Sequence, residues 1–305
     1  MAIDPSSLPA RSAPGTTRSL ELGAVSILLL CCMIWGLGLV MVKLANAGIA
    51  PVFNAALRSV FAGVILLIWA LARGVPLFER NRTLGAGLWI GIVFAIEFIA
   101  LYTGLQWTSV ARGTIFLHAA PFVAAVGEHL LGQARLSSLR IAGLVLAFVG
   151  LGVALFDGLI ASGGTLTGDL LCLAAGIAWG ATTVIVKGSR LRMARAEKTL
   201  LYQLGVSAIV LLAWSRLTGE AQTVPMDLAV LAPFAYTVLF TVVFGYTIWF
   251  WMMQTYSAGS LHAFTFLTPI FGAIAGHLLL NEPLSAGVLV GLGLVASGIW
   301  LVNRH

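Results

Sequence analysis

The chain has 305 residues, 60% of them hydrophobic and only 9% charged, with a mean hydropathy of +1.01. Ordinary soluble domains carry about 25% charge, so a soluble bundle of this composition would lack the polar exterior needed to cover its helices. In a soluble chain the net charge of +6 and pI near 9.7 would point to nucleic acid; in an apolar one the basic residues first set membrane orientation, and nucleic acid is not an expected partner. Cys31, Cys32 and Cys172 lie in apolar runs without metal-ligand or disulfide spacing and read as small buried hydrophobes.

A membrane-crossing helix needs about 20 apolar residues, so ten would use about 200 and leave about 100 for tails and connections. Residues 1–20, rich in Pro, Ser, Ala and Thr, read as a flexible cytoplasmic tail rather than a cleaved signal. In chain order the predicted spans are Leu22 to Ala45, Pro51 to Ala72, Leu84 to Leu105, Val110 to Leu131, Leu139 to Phe156, Thr167 to Lys187, Thr199 to Trp214, Leu228 to Met252, Leu261 to Leu280 and Leu284 to Val302. These runs are helix-length and do not alternate in polarity, which excludes a transmembrane β-barrel.

Lys and Arg accumulate on the cytoplasmic side of short connections. With the amino terminus inside, thirteen basic residues fall on that side and only Lys43, Arg112 and Arg216 on the other, with Arg58 inside a span. Both termini are therefore expected in the cytoplasm. The fold expected is an all-α polytopic membrane protein of ten transmembrane helices.

A faint duplication divides these helices. Trp35-Gly36 through Lys43 overlays Trp179-Gly180 through Lys187, sharing Trp, Gly, two Val positions and Lys. Further on, Pro121, Ala125, His129, Gly143 and Gly150 recur as Pro269, Ala273, His277, Gly291 and Gly298, at a constant offset of 148. Five spans per half make the first and sixth cross in opposite directions, so the halves are expected to be inverted repeats. Secondary transporters are often built this way, with a midplane site between two related bundles.

The chain resembles the drug/metabolite transporter superfamily, and within it the EamA-type exporters. The resemblance is carried by the ten-span, two-repeat plan, by Trp35-Gly36 and Trp179-Gly180 in the opening span of each half, by Arg58, and by Pro269 followed by Asn281-Glu282-Pro283-Leu284. It departs from the family pattern where Ala134 takes the place corresponding to Glu282. It implies EamA-like repeats at 21–157 and 167–305, residence in the cell inner membrane, and a proton- or gradient-coupled, or facilitative, carrier of small solutes out of the cytoplasm. YddG-like exporters of aromatic and neutral amino acids are the nearest functional class. Export of cationic drugs or other metabolites is the alternative, and a non-transporting membrane receptor a further one. No Gly-rich loop ending in Gly-Lys-Ser or Gly-Lys-Thr supports ATP drive, no cofactor or metal is expected, and no catalytic constellation suggests an enzyme. A monomer of ten helices is large enough to enclose a path.

Arg58, a third of the way into its span, must face protein, water or the interface: it attracts a carboxylate or gates, or else forms a structural ion pair or snorkels. Glu97 lies deeper, as a ligand for an ammonium or proton, or as a packing acid. His118 and His262 are candidates for proton exchange or helix-to-helix hydrogen bonds, whereas the repeat-matched His129 and His277 favour a shared structural or gate position. Pro121 and Pro269 are candidate helix bends. Trp35, Trp179, Tyr102, Tyr246 and Trp249 offer rings with polar edges for an apolar or aromatic solute, or ordinary core packing. Trp89, Trp107, Trp214 and Trp300 read as interfacial anchors. Gly143 with Gly150, and Gly291 with Gly298, would give each repeat a small-residue face for close helix contact.

Overall fold

The computed structural model describes residues 20–77, 79, 82–161, 164–281 and 285–304; the predicted tail, apart from Leu20, and the Glu282-Pro283-Leu284 motif lie outside the described residues. Its elements are helical. Helices α1 (Leu22–Ala45), α2 (Pro51–Ala72) and α3 (Leu84–Gly104) are continuous. Pro51 opens α2, where a missing N–H matters least because first-turn amides have no intrahelical acceptor. The amides of Val52 and Phe53 donate instead to the Glu220 carboxylate, at 3.1 and 2.9 Å.

The fourth predicted span is two helices, α4 (Val110–Leu117) and α5 (Ala120–Leu130). After α6 (Ser138–Ala154) comes a short α7 (Phe156–Ala161), which runs past the expected end of the first half at 157. Helix α8 (Leu166–Gly188) is joined through a 3-10 turn, Arg190–Met193, to α9 (Ala196–Leu217), which is longer at both ends than predicted. The eighth span comprises α10 (Leu228–Tyr236), a π-helical stretch Thr237–Tyr246, and α11 (Thr247–Thr255). The ninth is again two helices, α12 (Ala258–Thr265) and α13 (Leu267–Leu280), and α14 (Ala286–Asn303) closes the chain. Among the described residues, nine of these segments are long and apolar enough to cross a membrane. Helix α6 is apolar but has 17 residues, a rise of about 26 Å.

The interruptions of the fourth and ninth spans have a common cause. A proline ring lacks the N–H and clashes with the carbonyl four residues back. For Pro121 that carbonyl belongs to Leu117, the last residue of α4, and for Pro269 to Thr265, the last residue of α12. The helices therefore break before the prolines, at His118–Ala119 and at Phe266.

Helix α6 packs on α14, α2 on α9, α5 on α12, and α3 on α8; α1 meets α13 as well as α10 and the π-helical stretch. The α6–α14 contact is made by the two glycine pairs. A Cβ on Gly143 would stand 2.8 Å from the Gly298 carbonyl oxygen, and one on Gly150 2.9 Å from that of Gly291. Because Gly143 meets Gly298 while Gly150 meets Gly291, the two helices run antiparallel. The rim of the bundle is apolar, with Ile68, Ile209 and Leu289 all more than 60% exposed, as a surface facing lipid requires and a soluble surface of this extent does not tolerate.

Candidate substrate path

Six of the predicted path residues carry rings that meet one another through the middle of the bundle. Trp35 of α1 touches Tyr246 at 5.9 Å and Trp249 of α11 at 5.4 Å between ring centroids, both edge-to-face. Trp249 meets His262 of α12 at 5.1 Å, His262 meets Trp179 of α8 at 5.3 Å, and Trp179 meets His118 at 5.8 Å. From Tyr246 the run continues on α3 through Phe94 at 6.1 Å, then Phe98 at 4.8 Å and Tyr102 at 5.7 Å. The edge-to-face pairs among these each add about 0.5–1.5 kcal/mol beyond area burial, and the Trp179–His262 and Phe98–Tyr102 rings are tilted. Phe94 and Phe98 were not singled out from the sequence. Their spacing with Tyr102, four residues each time, is the helical stripe that would have found them.

Trp35 is held by its own polar edge. Its indole Nε1 donates to the Thr241 carbonyl at 3.2 Å, inside the π-helical stretch, and a Cβ on Gly245 would stand 2.6 Å from that nitrogen. Widened π turns re-aim carbonyls and side chains, and they recur at functional sites.

Arg58 and Glu97 stand at the Tyr102 end of the run. The Arg58 guanidinium lies over the Phe98 ring, 4.7 Å from its centroid, a cation–π contact. Glu97, Tyr102 and Tyr246 are all within electrostatic reach of Arg58. Both charged residues are buried, and among the described residues neither Arg58 Nη2 nor Glu97 Oε2 has a hydrogen-bond partner.

His118 sits in the break between α4 and α5. Its Nδ1 is 2.7 Å from the Thr114 carbonyl oxygen and its Nε2 3.2 Å from that of Thr265, the carbonyl that Pro269 leaves without its helical donor. One side chain thus lies within hydrogen-bond distance of both breaks, and a neutral ring donates to one of the two carbonyls at a time. His262 Nε2 pairs with Thr183 Oγ1 at 2.8 Å, and its Nδ1 is without a partner among the described residues. His129 and His277 lie apart from these groups on exposed faces. Trp89, Trp107, Trp214 and Trp300 are likewise on the outside.

Two charge networks at opposite ends of α4–α5 were not recognised from the sequence. At one end Asp169 of α8 accepts from Thr108 Oγ1 at 2.6 Å and pairs with Arg112 of α4. At the other, the buried carboxylate of Glu128 accepts from Arg140 at 2.9 Å, Ser257 Oγ at 2.7 Å, and the amides of Ala258 and Gly259 at 2.8 and 3.2 Å. Lys187 of α8 donates to the Tyr256 carbonyl at 2.5 Å beside it. The positive-inside count reads Arg112, on the outer side, and Arg140, among the thirteen on the inner side, only as orientation charges. Nothing in their spacing tells a loop charge from one folded back onto a neighbouring helix end.

An apolar rim around a core of rings, buried charges and broken helices defines a multi-pass membrane protein of the transporter class. Residues 22–156 and again 166–304 match the EamA-like transporter family, and the chain belongs to that family, within the drug/metabolite transporter superfamily. A protein of Escherichia coli named as a probable amino-acid metabolite efflux pump is 27% identical over 282 residues, covering 90% of this chain and 92% of its own. A protein of Archaeoglobus fulgidus named as an uncharacterized transporter is 23% identical over 285 residues, covering 91% and 96%. A solved crystal structure shares the fold with a TM-score of 0.78 at 18% identity, over 92% of this chain and 96% of that one.

Proposed function

We propose that the chain is a secondary carrier that exports small metabolites, neutral or aromatic amino acids first among them, from the cytoplasm by alternating access. The observation that carries this reading is the unbroken ring run from Trp179 to Tyr102, drawn from both family-matched stretches and ending at Arg58. Rings of this kind enclose an apolar side chain while their polar edges orient it. The Escherichia coli relative named for amino-acid metabolite efflux supports the same solute class.

In this reading α6 completes ten spans, residues 21–157 and 167–305 form two inverted halves, and both termini lie in the cytoplasm of a cell whose inner membrane holds the protein. The antiparallel α6–α14 contact supports the inversion, and the excess of Lys and Arg on one side supports the orientation. The interruptions before Pro121 and Pro269 are where the halves flex, and His118, which bridges them, is the group through which a proton would act. A single chain encloses the path.

Counterflow into liposomes tests the reading, with a labelled panel of aromatic, branched and small neutral amino acids, polyamines and a cationic drug. Protein-dependent exchange of amino acids is expected. Exchange of the cationic drug alone, or of nothing across several pH gradients, overturns it.

A further inference from the structure

We propose that Arg58 and Glu97 form a two-point charge clamp, Arg58 taking the carboxylate and Glu97 the ammonium of one zwitterionic solute. The clamp selects zwitterions against solutes of the same shape that carry a single charge. It rests on the carrier reading above and specifies which ionic form of the solute the carrier accepts.

The first ground is depth. Arg58 lies seven residues after the start of α2 at Pro51, and Glu97 seven residues before the end of α3 at Gly104. The two helices are consecutive and antiparallel, so both groups sit about 10 Å in from the same end of the bundle. The second is incomplete satisfaction. Arg58 is 5% and Glu97 8% exposed, and each has a buried polar atom, Nη2 and Oε2, without a partner among the described residues. Buried charges are ordinarily paired and fully hydrogen-bonded, because an unmet one costs several kcal/mol.

Third, these two ionisable groups of opposite sign do not satisfy each other. Each is within the other's field, yet no ion pair joins them among the described residues, where Arg140–Glu128 and Arg195–Glu197 do pair. A donor and an acceptor at one depth, each with an unmet atom and not joined to the other, match a solute that brings an acceptor for the guanidinium and a donor for the carboxylate. An α-amino acid carries both on adjacent atoms.

The surroundings restrict the solute further. Arg58 is backed by the Phe98 ring, and Phe94, Tyr102 and Tyr246 continue that wall, so the charged end meets the clamp and an apolar side chain meets the rings. With Glu97 ionised, clamp and zwitterion each carry one charge of either sign and together sum to zero. An amine without a carboxylate leaves Arg58 unmet, and an acid without an ammonium leaves Glu97 unmet, each with a like charge brought close.

The test is inhibition of labelled phenylalanine counterflow in liposomes by unlabelled phenylalanine, its methyl ester and its N-acetyl derivative. For the unaltered protein, phenylalanine is expected to compete at least tenfold better than either singly charged analogue. Glu97→Gln is expected to bring the N-acetyl compound to within threefold of phenylalanine, and Arg58→Gln to do the same for the ester. Glu97→Asp and Arg58→Lys, which keep the charge, are expected to keep the preference. Equal competition by all three compounds in the unaltered protein overturns the clamp whether or not any variant folds, and leaves the carrier reading standing. Discrimination that survives both neutral substitutions in folded protein also overturns it, assigning the pair a structural role. No exchange of any amino acid by the unaltered protein overturns the carrier reading, and the clamp with it.

Discussion

Ser207 of α9 donates a hydrogen bond to Ser59 of α2 at 3.2 Å, and the two are 148 residues apart. That is the offset at which Pro121, Gly143 and Gly150 recur as Pro269, Gly291 and Gly298. His118 and Phe266, whose rings are 5.8 Å apart, are also separated by 148. A residue beside its own equivalent is what a two-fold axis between the proposed halves would produce, and an axis in the membrane plane is what inverted repeats require. The contact also favours the alignment in which Val206, not Tyr202, corresponds to Arg58. The charge clamp then has no equivalent in the second half. Intramembrane hydrogen bonds of this kind are worth about 0.6 kcal/mol on average. A double-mutant cycle of Ser59→Ala and Ser207→Ala, read by unfolding in detergent, is expected to return a coupling of that order; zero coupling would remove the bond.

Glu128 and Arg140 answer to a different rule, since removing one partner leaves the other charged and buried. Glu128→Ala is expected to cost about 3–5 kcal/mol of stability. The pair replaced together, Glu128→Leu with Arg140→Met, is expected to cost clearly less than the single change. Thermal unfolding of the three purified proteins checks this, and a double variant worse than Glu128→Ala would count against a buried, mutually dependent pair.

The two faces of α6 give a matched comparison. A Cβ on Gly150 would meet the backbone of α14 below 3 Å, whereas one on Gly152, two residues on, meets nothing within 4 Å. Gly150→Ala is expected to destabilise by about 1–3 kcal/mol through overpacking. Gly152→Ala is expected to be neutral or slightly stabilising, because alanine is the better helix former.

Orientation is testable with single cysteines in a background from which Cys31, Cys32 and Cys172 have been removed. Met193→Cys, in the turn before α9, and Gln222→Cys, between α9 and α10, are both at exposed positions. In intact cells a membrane-impermeant maleimide is expected to label Cys at position 222 and to reach position 193 only after the membrane is opened. The reverse pattern would invert the topology proposed from the Lys and Arg distribution.

Composition and hydrophobic run length suffice to read spans such as Pro51–Ala72 from the chain, because the bilayer demands about 20 apolar residues in each crossing helix whatever its neighbours do. The glycine faces were legible too: a seven-residue repeat of small residues on a helix has few uses other than close approach. Proline chemistry announced an interruption near residues 121 and 269, but only the folded chain located it at His118–Ala119 and Phe266, because a proline acts on the carbonyl four residues before it. Tertiary structure alone decided that Trp35, Trp249, His262 and Trp179 meet in one run, that Glu128 closes on Arg140 and the start of α12, and that Arg58 and Glu97 share a depth without pairing. Span position follows from local hydrophobicity, which the sequence carries residue by residue. Which polar groups meet depends on how α1, α3, α8, α11 and α12 rotate and cross, and that is set by packing between residues far apart in the chain.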